Sequence, residues 1–253
     1  MHPKKIFNLL EHSYGNGFTL AEVLITLGII GVVAAMTMPS LIANYQNKEL
    51  LTRVKKTYST FYNAVNLALA ETGSSEITSV FDTSNTSLQT TQNMQKYFNG
   101  AILCDKVSQG CQSYGIKAQY GKKNEFTEDN VYQATMGVPY LKLIDGSFIK
   151  FYQMSSCLTI REAQKCKTDA SGNVVPNSSG TDCEYETTNW TDTRCAIVQI
   201  DTNGLRKPNQ YGADVYQIGI YEDGTLKEVG GNGHLNQILS SDEIDYIKYD
   251  VKD

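Results

Sequence analysis

Glu22 stands among about twenty apolar residues in "GNGFTLAEVLITLGIIGVVAAMTMP", Gly15 to Pro39, and no charged residue follows it until after Ala43. A carboxylate in such a setting costs a few kcal/mol on membrane-insertion scales, so it normally has a partner or a function. A second group with chemical potential is Asp201, Asn203, Asn209 and Asp214 in "DTNGLRKPNQYGADVY", with Gly204 and Gly212 allowing tight turns. These are hard oxygen donors of the type calcium gathers in sets of six to eight. The EF-hand pattern is not met, because the fifth loop position carries no acid and the twelfth no glutamate. The alternative is a pair of Asx and Pro turns joining two strands. A third group is six cysteines, at 104, 111, 157, 166, 183 and 195. No CxxC pair occurs, and past residue 17 the only histidine is His234, which argues against zinc. Any Ser/His/Asp or Cys/His triad would have to use His234 in "GGNGHLNQ", where no nucleophile motif is near. Neither GxxxxGK[ST] nor HExxH is present, and Asp242 and Glu243 in "SSDEIDYIKY" read as a solvated helix start.

The elements that must position these residues follow from hydrophobic pattern. The uncharged run from Val23 to Ala43 makes about 30 Å of helix, enough to span a bilayer and longer than a secretory h-region of roughly 7 to 15 residues. Lys4 and Lys5 before it favour a cytoplasmic N-terminus and an exported C-terminal part. The helix continues as an amphipathic one, because Leu51, Val54, Tyr58, Phe61, Val65 and Leu69 recur at three- and four-residue steps, until "ETGSS" at Glu71 to Ser75 supplies a glycine stop. Lys48, Arg53, Lys55 and Lys56 on its other face read as a solvated or membrane-proximal surface rather than a nucleic-acid site. With a formal net charge of −5 and a pI near 5.3, the chain as a whole has no basic footprint for nucleic acid.

The remainder, Ser74 to Asp253, reads as an exported head. "YLKLIDGSFIKFYQ" and "VYQIGIYEDGTLKEV" alternate apolar residues around Asp145-Gly146 and Asp223-Gly224, which predicts two-residue hairpin turns. With "CAIVQI", Cys195 to Ile200, they predict an antiparallel sheet of about four to six strands, one face of which packs on Tyr58, Phe61 and Val65 in an α+β head. Gly73 to Gln95 and Lys167 to Thr191 have few periodic apolar residues and are expected to be surface loops. An even cysteine count in an exported part predicts disulfides. Of fifteen possible pairings, short spacings favour Cys104 with Cys111, Cys157 with Cys166 and Cys183 with Cys195, each worth about 2 to 3 kcal/mol.

The string "GFTLAE" followed by the apolar helix resembles the N-terminal signature of type IV pilins and type II secretion pseudopilins, over Gly17 to Ala43. The resemblance implies cleavage after Gly17 by a membrane prepilin peptidase and methylation of the new N-terminal residue, Phe18. It implies that Glu22, then the fifth residue, pairs with the amino group of Phe18 on a neighbouring subunit and sets axial register. Gly31 and Pro39 fall where family members often carry helix-weakening residues. The late stretch around Asp201 to Asp214 is also similar to loops in pseudopilins, several of which bind calcium.

The expected organisation is a leader at 1–17, a transmembrane and fibre-core helix at 18–43, an amphipathic continuation at 44–73 and a disulfide-containing head at 74–253, pilin-like in fold. The expected function is a non-enzymatic subunit of a type IV pilus-like fibre, polymerising through its N-terminal helix with other pilin-like subunits. A type II secretion pseudopilin and an anchored binding module that never polymerises are the alternatives. The resemblance implies a platform protein and an assembly ATPase as further partners. It places the precursor in the inner membrane, N-terminus in, and the assembled form in a periplasmic or extracellular fibre.

Overall fold

The computed structural model describes residues 17–119, 131–179, 183–229 and 235–241, with 244 and 246. The leader with Lys4 and Lys5, His234, Asp242 and Glu243 lie outside the described residues. The chain divides into two compact units, Met1–Gln46 and Asn47–Asp253, with the boundary inside one helix.

That helix, α1, runs Leu20–Thr72 and contains Pro39. Its start is two residues later than the expected Phe18. Over the described part of the first unit the large apolar side chains of α1 are uncovered, including Leu24, Ile25, Leu27, Ile29, Ile30, Met36, Leu41 and Ile42. Among the described residues this is the one helix long and apolar enough to cross a membrane. Within the second unit, α1 buries Leu50, Leu51, Val54, Thr57, Phe61, Ala64, Val65 and Ala68, the stripe of three- and four-residue steps that an amphipathic helix lays on a core. Gly73, at φ 66°, follows its last residue in the left-handed conformation that commonly ends a helix.

The head is built on a six-stranded antiparallel sheet in the order β1-β4-β5-β8-β9-β10. Its strands are β1 (Ile102–Cys104), β4 (Tyr140–Lys142), β5 (Phe148–Gln153), β8 (Arg194–Asp201), β9 (Val215–Tyr221) and β10 (Leu226–Glu228). Two separate ribbons pair β2 (Tyr114–Gln119) with β3 (Val131–Met136), and β6 (Thr159–Cys166) with β7 (Tyr185–Asp192). One sheet face presents Ile149, Phe151, Val198, Ile200, Tyr216, Ile218 and Ile220 to the stripe of α1, and the Phe61 and Phe151 rings lie 6.5 Å apart. A second core forms from Phe148 and Val215 with Ile116 and Met136 of the β2–β3 ribbon and Tyr140 of β4. The fold is therefore α+β and pilin-like: one long helix, half apolar and half amphipathic, on an antiparallel sheet.

Several local expectations are corrected. Both Asp-Gly hairpins use three-residue connections, not two. Gly146 N donates to Leu143 O at 3.0 Å and Leu143 N to Ser147 O at 2.8 Å, with Gly146 at φ 85°. Gly224 N donates to Tyr221 O and Tyr221 N to Thr225 O in the same way, with Gly224 at φ 81°. A glycine in the left-handed position after a turn makes the bulged connection that such loops use. The Gly73–Gln95 segment is not a plain surface loop. It holds a 3-10 turn at Ile77–Ser79 and α2 (Ser87–Gln95), and it buries Ile77, Phe81, Thr90, Thr91 and Met94. Thr86 and Gln89 start α2 with a reciprocal capping box, a local signal that apolar periodicity does not reveal. Lys167–Thr191 likewise contains most of β7.

The cysteines pair as Cys104–Cys111, Cys157–Cys195 and Cys166–Cys183, so of the three expected pairs only the first forms. Register decides the others. Gln153 opposite Ala196 brings the chain around Cys157 to the start of β8, and Cys166 opposite Tyr185 places Cys183 just beyond its own strand end. The β6–β7 ribbon, which two strands alone would leave marginal, is thus closed by one disulfide at its base and another at its far end.

Candidate functional site

At the N-terminus, Gly17, Phe18 and Thr19 are not helical. Thr19 O accepts the first helical bond, from Val23 N at 3.2 Å. Glu22 N donates to Thr19 Oγ1 at 3.2 Å, while Thr19 N and Thr19 Oγ1 each donate to Glu22 Oε2 at 2.8 Å. This is a complete capping box, with Thr19 as N-cap and Glu22 as the third helical residue. No other described residue hydrogen-bonds the Glu22 carboxylate. Phe18 is fully presented at 89% exposure. Gly31 has nothing within 4 Å of where a Cβ would stand, and Pro39 is accommodated within continuous helix. Sequence reading singled out Gly17, Phe18 and Glu22 but passed over Thr19, although the T-x-x-E spacing carries that signal by itself.

The second site is the loop joining β8 to β9. Asp201 is wholly buried. Its Oδ1 accepts from Asn203 N at 3.1 Å and Gly204 N at 2.6 Å, and its Oδ2 from Tyr114 Oη at 2.5 Å. Asp214, also wholly buried, accepts from Gln210 N at 2.7 Å and Asn209 N at 2.9 Å. Burial pushes both carboxyls above their ordinary range, and at Asp201 the Asp214 charge adds to the effect. Burial, then Asp201, pushes the Tyr114 hydroxyl up as well. Neither acid has an ion-pair partner among the described residues.

The four expected oxygen donors are used unequally. Asn209, at φ 48°, sets its side-chain nitrogen 2.8 Å from Gly204 O and 2.9 Å from Arg206 O, so it braces the loop. Asn203 donates to Lys207 O at 3.3 Å, while its buried Oδ1 and the buried Thr202 Oγ1 have no partner among the described residues. The loop thus carries two buried carboxyls together with an amide oxygen and a hydroxyl that have no partner among the described residues, all hard oxygens of the type calcium takes. Gly204, at φ 65°, is required here, because a Cβ would stand 2.4 Å from Gly146 O. The β2–β3 ribbon is tied to the same loop by Lys117 N to Asn209 O at 2.7 Å and Tyr211 N to Lys117 O at 3.0 Å.

Comparison with known families matches residues 40–223 to DUF6613, a family of unknown function. The chain belongs to that family. A second match, over residues 13–38, is to the prokaryotic N-terminal methylation motif, so the family domain is carried here behind a type IV pilin-like prepilin motif. No curated protein and no solved structure matches the chain.

The DUF6613 match contains all six cysteines and both buried acids of the loop, while Thr19 and Glu22 lie in the methylation motif. The family domain also holds a cavity of about 510 Å³ between the end of α1, the 3-10 turn and α2, lined among others by Asp82, Asn85, Gln92, Asn93 and Tyr97. Among the described residues no three His, Cys, Asp or Glu side chains converge as a metal cluster.

Proposed function

We propose that the chain is a non-enzymatic structural subunit of a type IV pilus-like fibre, made as an inner-membrane precursor and assembled through the helix from Phe18 to Ala43. The observation that carries this reading is an uncovered apolar helix with one acid, Glu22, directly behind a prepilin cleavage motif. A lone carboxylate among packed apolar helices is heavily penalised unless it is paired, so pairing with the Phe18 amino group of a neighbour selects one axial register. The second half of α1 then seats a disulfide-stapled head outside the helical core of the fibre. Prepilin peptidase is the processing partner, and a platform protein with its ATPase supplies assembly.

The test is intact mass and N-terminal sequencing of protein from sheared surface fibres and from membranes, for wild type and Glu22→Ala. Wild type beginning at methylated Phe18 in fibres, with the variant retained in membranes, is the expected result. A chain that keeps Met1 and is indifferent to Glu22→Ala refutes it in favour of an anchored module. Wild type found only in short periplasmic assemblies, with export of other proteins lost on deletion, selects the secretion pseudopilin.

The β8–β9 loop supports a second element, calcium binding through Asp201, Asp214, Asn203 Oδ1 and Thr202 Oγ1. Its support is the pair of buried oxygens without a partner among the described residues, in the same loop as two buried acids. Calcium is expected to raise the melting temperature of the full chain in detergent relative to EDTA, and Asp214→Asn to abolish that rise. Equal melting in calcium and EDTA refutes it.

A further inference from the structure

We infer that Thr19 is a positioning residue for leader cleavage: its capping box with Glu22 starts the helix at Leu20, with Thr19 as N-cap, and holds the Gly17–Phe18 bond outside helical structure. This deepens the processing step of the proposed function and rests on it. A protease takes its substrate as extended backbone, whereas helical amides are engaged with carbonyls four residues back. In this chain the first such bond runs from Val23 to Thr19, and Thr19's own N–H is taken by Glu22 Oε2. The helix therefore stops by chemistry rather than by fraying. Both members of the box contribute, since Thr19 Oγ1 satisfies Glu22 N and the carboxylate satisfies Thr19 N.

The box also separates two properties of Glu22. Capping needs only an acceptor oxygen at residue 22, so glutamine can serve, while pairing with a neighbour's ammonium needs the charge. Only Oε2 is committed to Thr19, which leaves Oε1 directed to no described group. Glu22 can thus cap the precursor helix and keep an oxygen for assembly.

Without the N-cap hydroxyl, the helix start is no longer held at one position, and part of the population draws the scissile bond into the first turn. Losing about 1 kcal/mol of capping changes a conformational ratio about fivefold. Because only the extended fraction binds productively, KM rises by up to about fivefold while kcat is unchanged.

The experiment is cleavage of full-length precursor in detergent by purified prepilin peptidase, with KM and kcat measured for wild type, Thr19→Ala, Thr19→Ser, Glu22→Gln and Glu22→Ala. Amide chemical shifts of Phe18 in the same micelles read the helix start. We expect Thr19→Ala and Glu22→Ala to raise KM and shift Phe18 toward helical values, with Thr19→Ser and Glu22→Gln close to wild type. If Thr19→Ala is cleaved with wild-type KM, or if Thr19→Ser fails as badly as alanine, the positioning role is overturned. If wild type itself is not cleaved after Gly17, the processing reading fails instead.

Discussion

The two buried acids of the β8–β9 loop make the head's stability depend on pH with a definite sign. Asp201 and Asp214 are buried together with no ion-pair partner among the described residues, so burial makes each take up a proton more readily in the folded chain than in the unfolded one. Between the ordinary carboxylate range and the raised one, the folded state binds more protons. Stability is then full at low pH and is lost as pH rises through that window. One proton corresponds to about 1.4 kcal/mol per pH unit at most. Three donors on Asp201, from Asn203, Gly204 and Tyr114, favour its charged form and hold the effect below that limit. Asp201→Asn removes the titration while an amide oxygen can still take the two backbone donors. Denaturant melts of full-length protein in detergent with EDTA, at pH 5 and pH 8, are the assay. We expect the variant to gain on wild type by about 1 kcal/mol or more between the two conditions, less than one full unit per pH step. A constant difference, or wild type gaining as pH rises, refutes the account. Calcium at pH 8 should reverse the wild-type loss and leave Asp201→Asn unmoved.

Arg194→Met removes the guanidinium from Asp192, which is 3% exposed and takes Arg194 Nε at 2.6 Å and Nη2 at 2.5 Å. Breaking a buried pair costs about 3 to 5 kcal/mol, and the lower end is expected because Arg194 N still donates to Asp192 Oδ1. Denaturant unfolding should show most of this loss recovered in the Asp192→Asn, Arg194→Met double variant. Replacing Cys157 and Cys195 with serine should destabilise more than replacing Cys104 and Cys111, by about 3.9 against about 2.4 kcal/mol, because the first pair closes a separation of 38 residues and the second only 7. Equal losses would show that native-state packing, not loop closure, governs them. Glu228, pushed up to about 7 by burial, accepts from Leu235 N at 2.8 Å at the start of α3 (Leu235–Ser240). Its neutral form is favoured in the fold, so stability declines between about pH 4.5 and 7, and Glu228→Gln should flatten that decline in the same melts.

How much of this was legible in sequence differs element by element. The uncharged run to Ala43, the prepilin string at Gly17 to Glu22 and the stripe from Leu51 to Leu69 determined α1, because helical periodicity and bilayer-length apolarity are one-dimensional properties. So is the T-x-x-E cap, which apolar pattern alone overlooks. The Asp-Gly pairs marked where β4 meets β5 and β9 meets β10. Their turn type depended on which strand residues pair, and only register sets that. The Gly73–Gln95 segment reads as polar, yet Phe81 and Met94 become core because the sheet and α1 leave a gap that a short capped helix fills. Cys157 finds Cys195, 38 positions away, because β5 and β8 are neighbours in the sheet; spacing along the chain carries no information about that adjacency. In the β8–β9 loop the sequence determined which oxygens are present. Tertiary structure decided that Asp201 and Asp214 are buried against Tyr114 of a distant ribbon and that Asn209 braces carbonyls, since burial and donor direction exist only once strands from separate parts of the chain have packed.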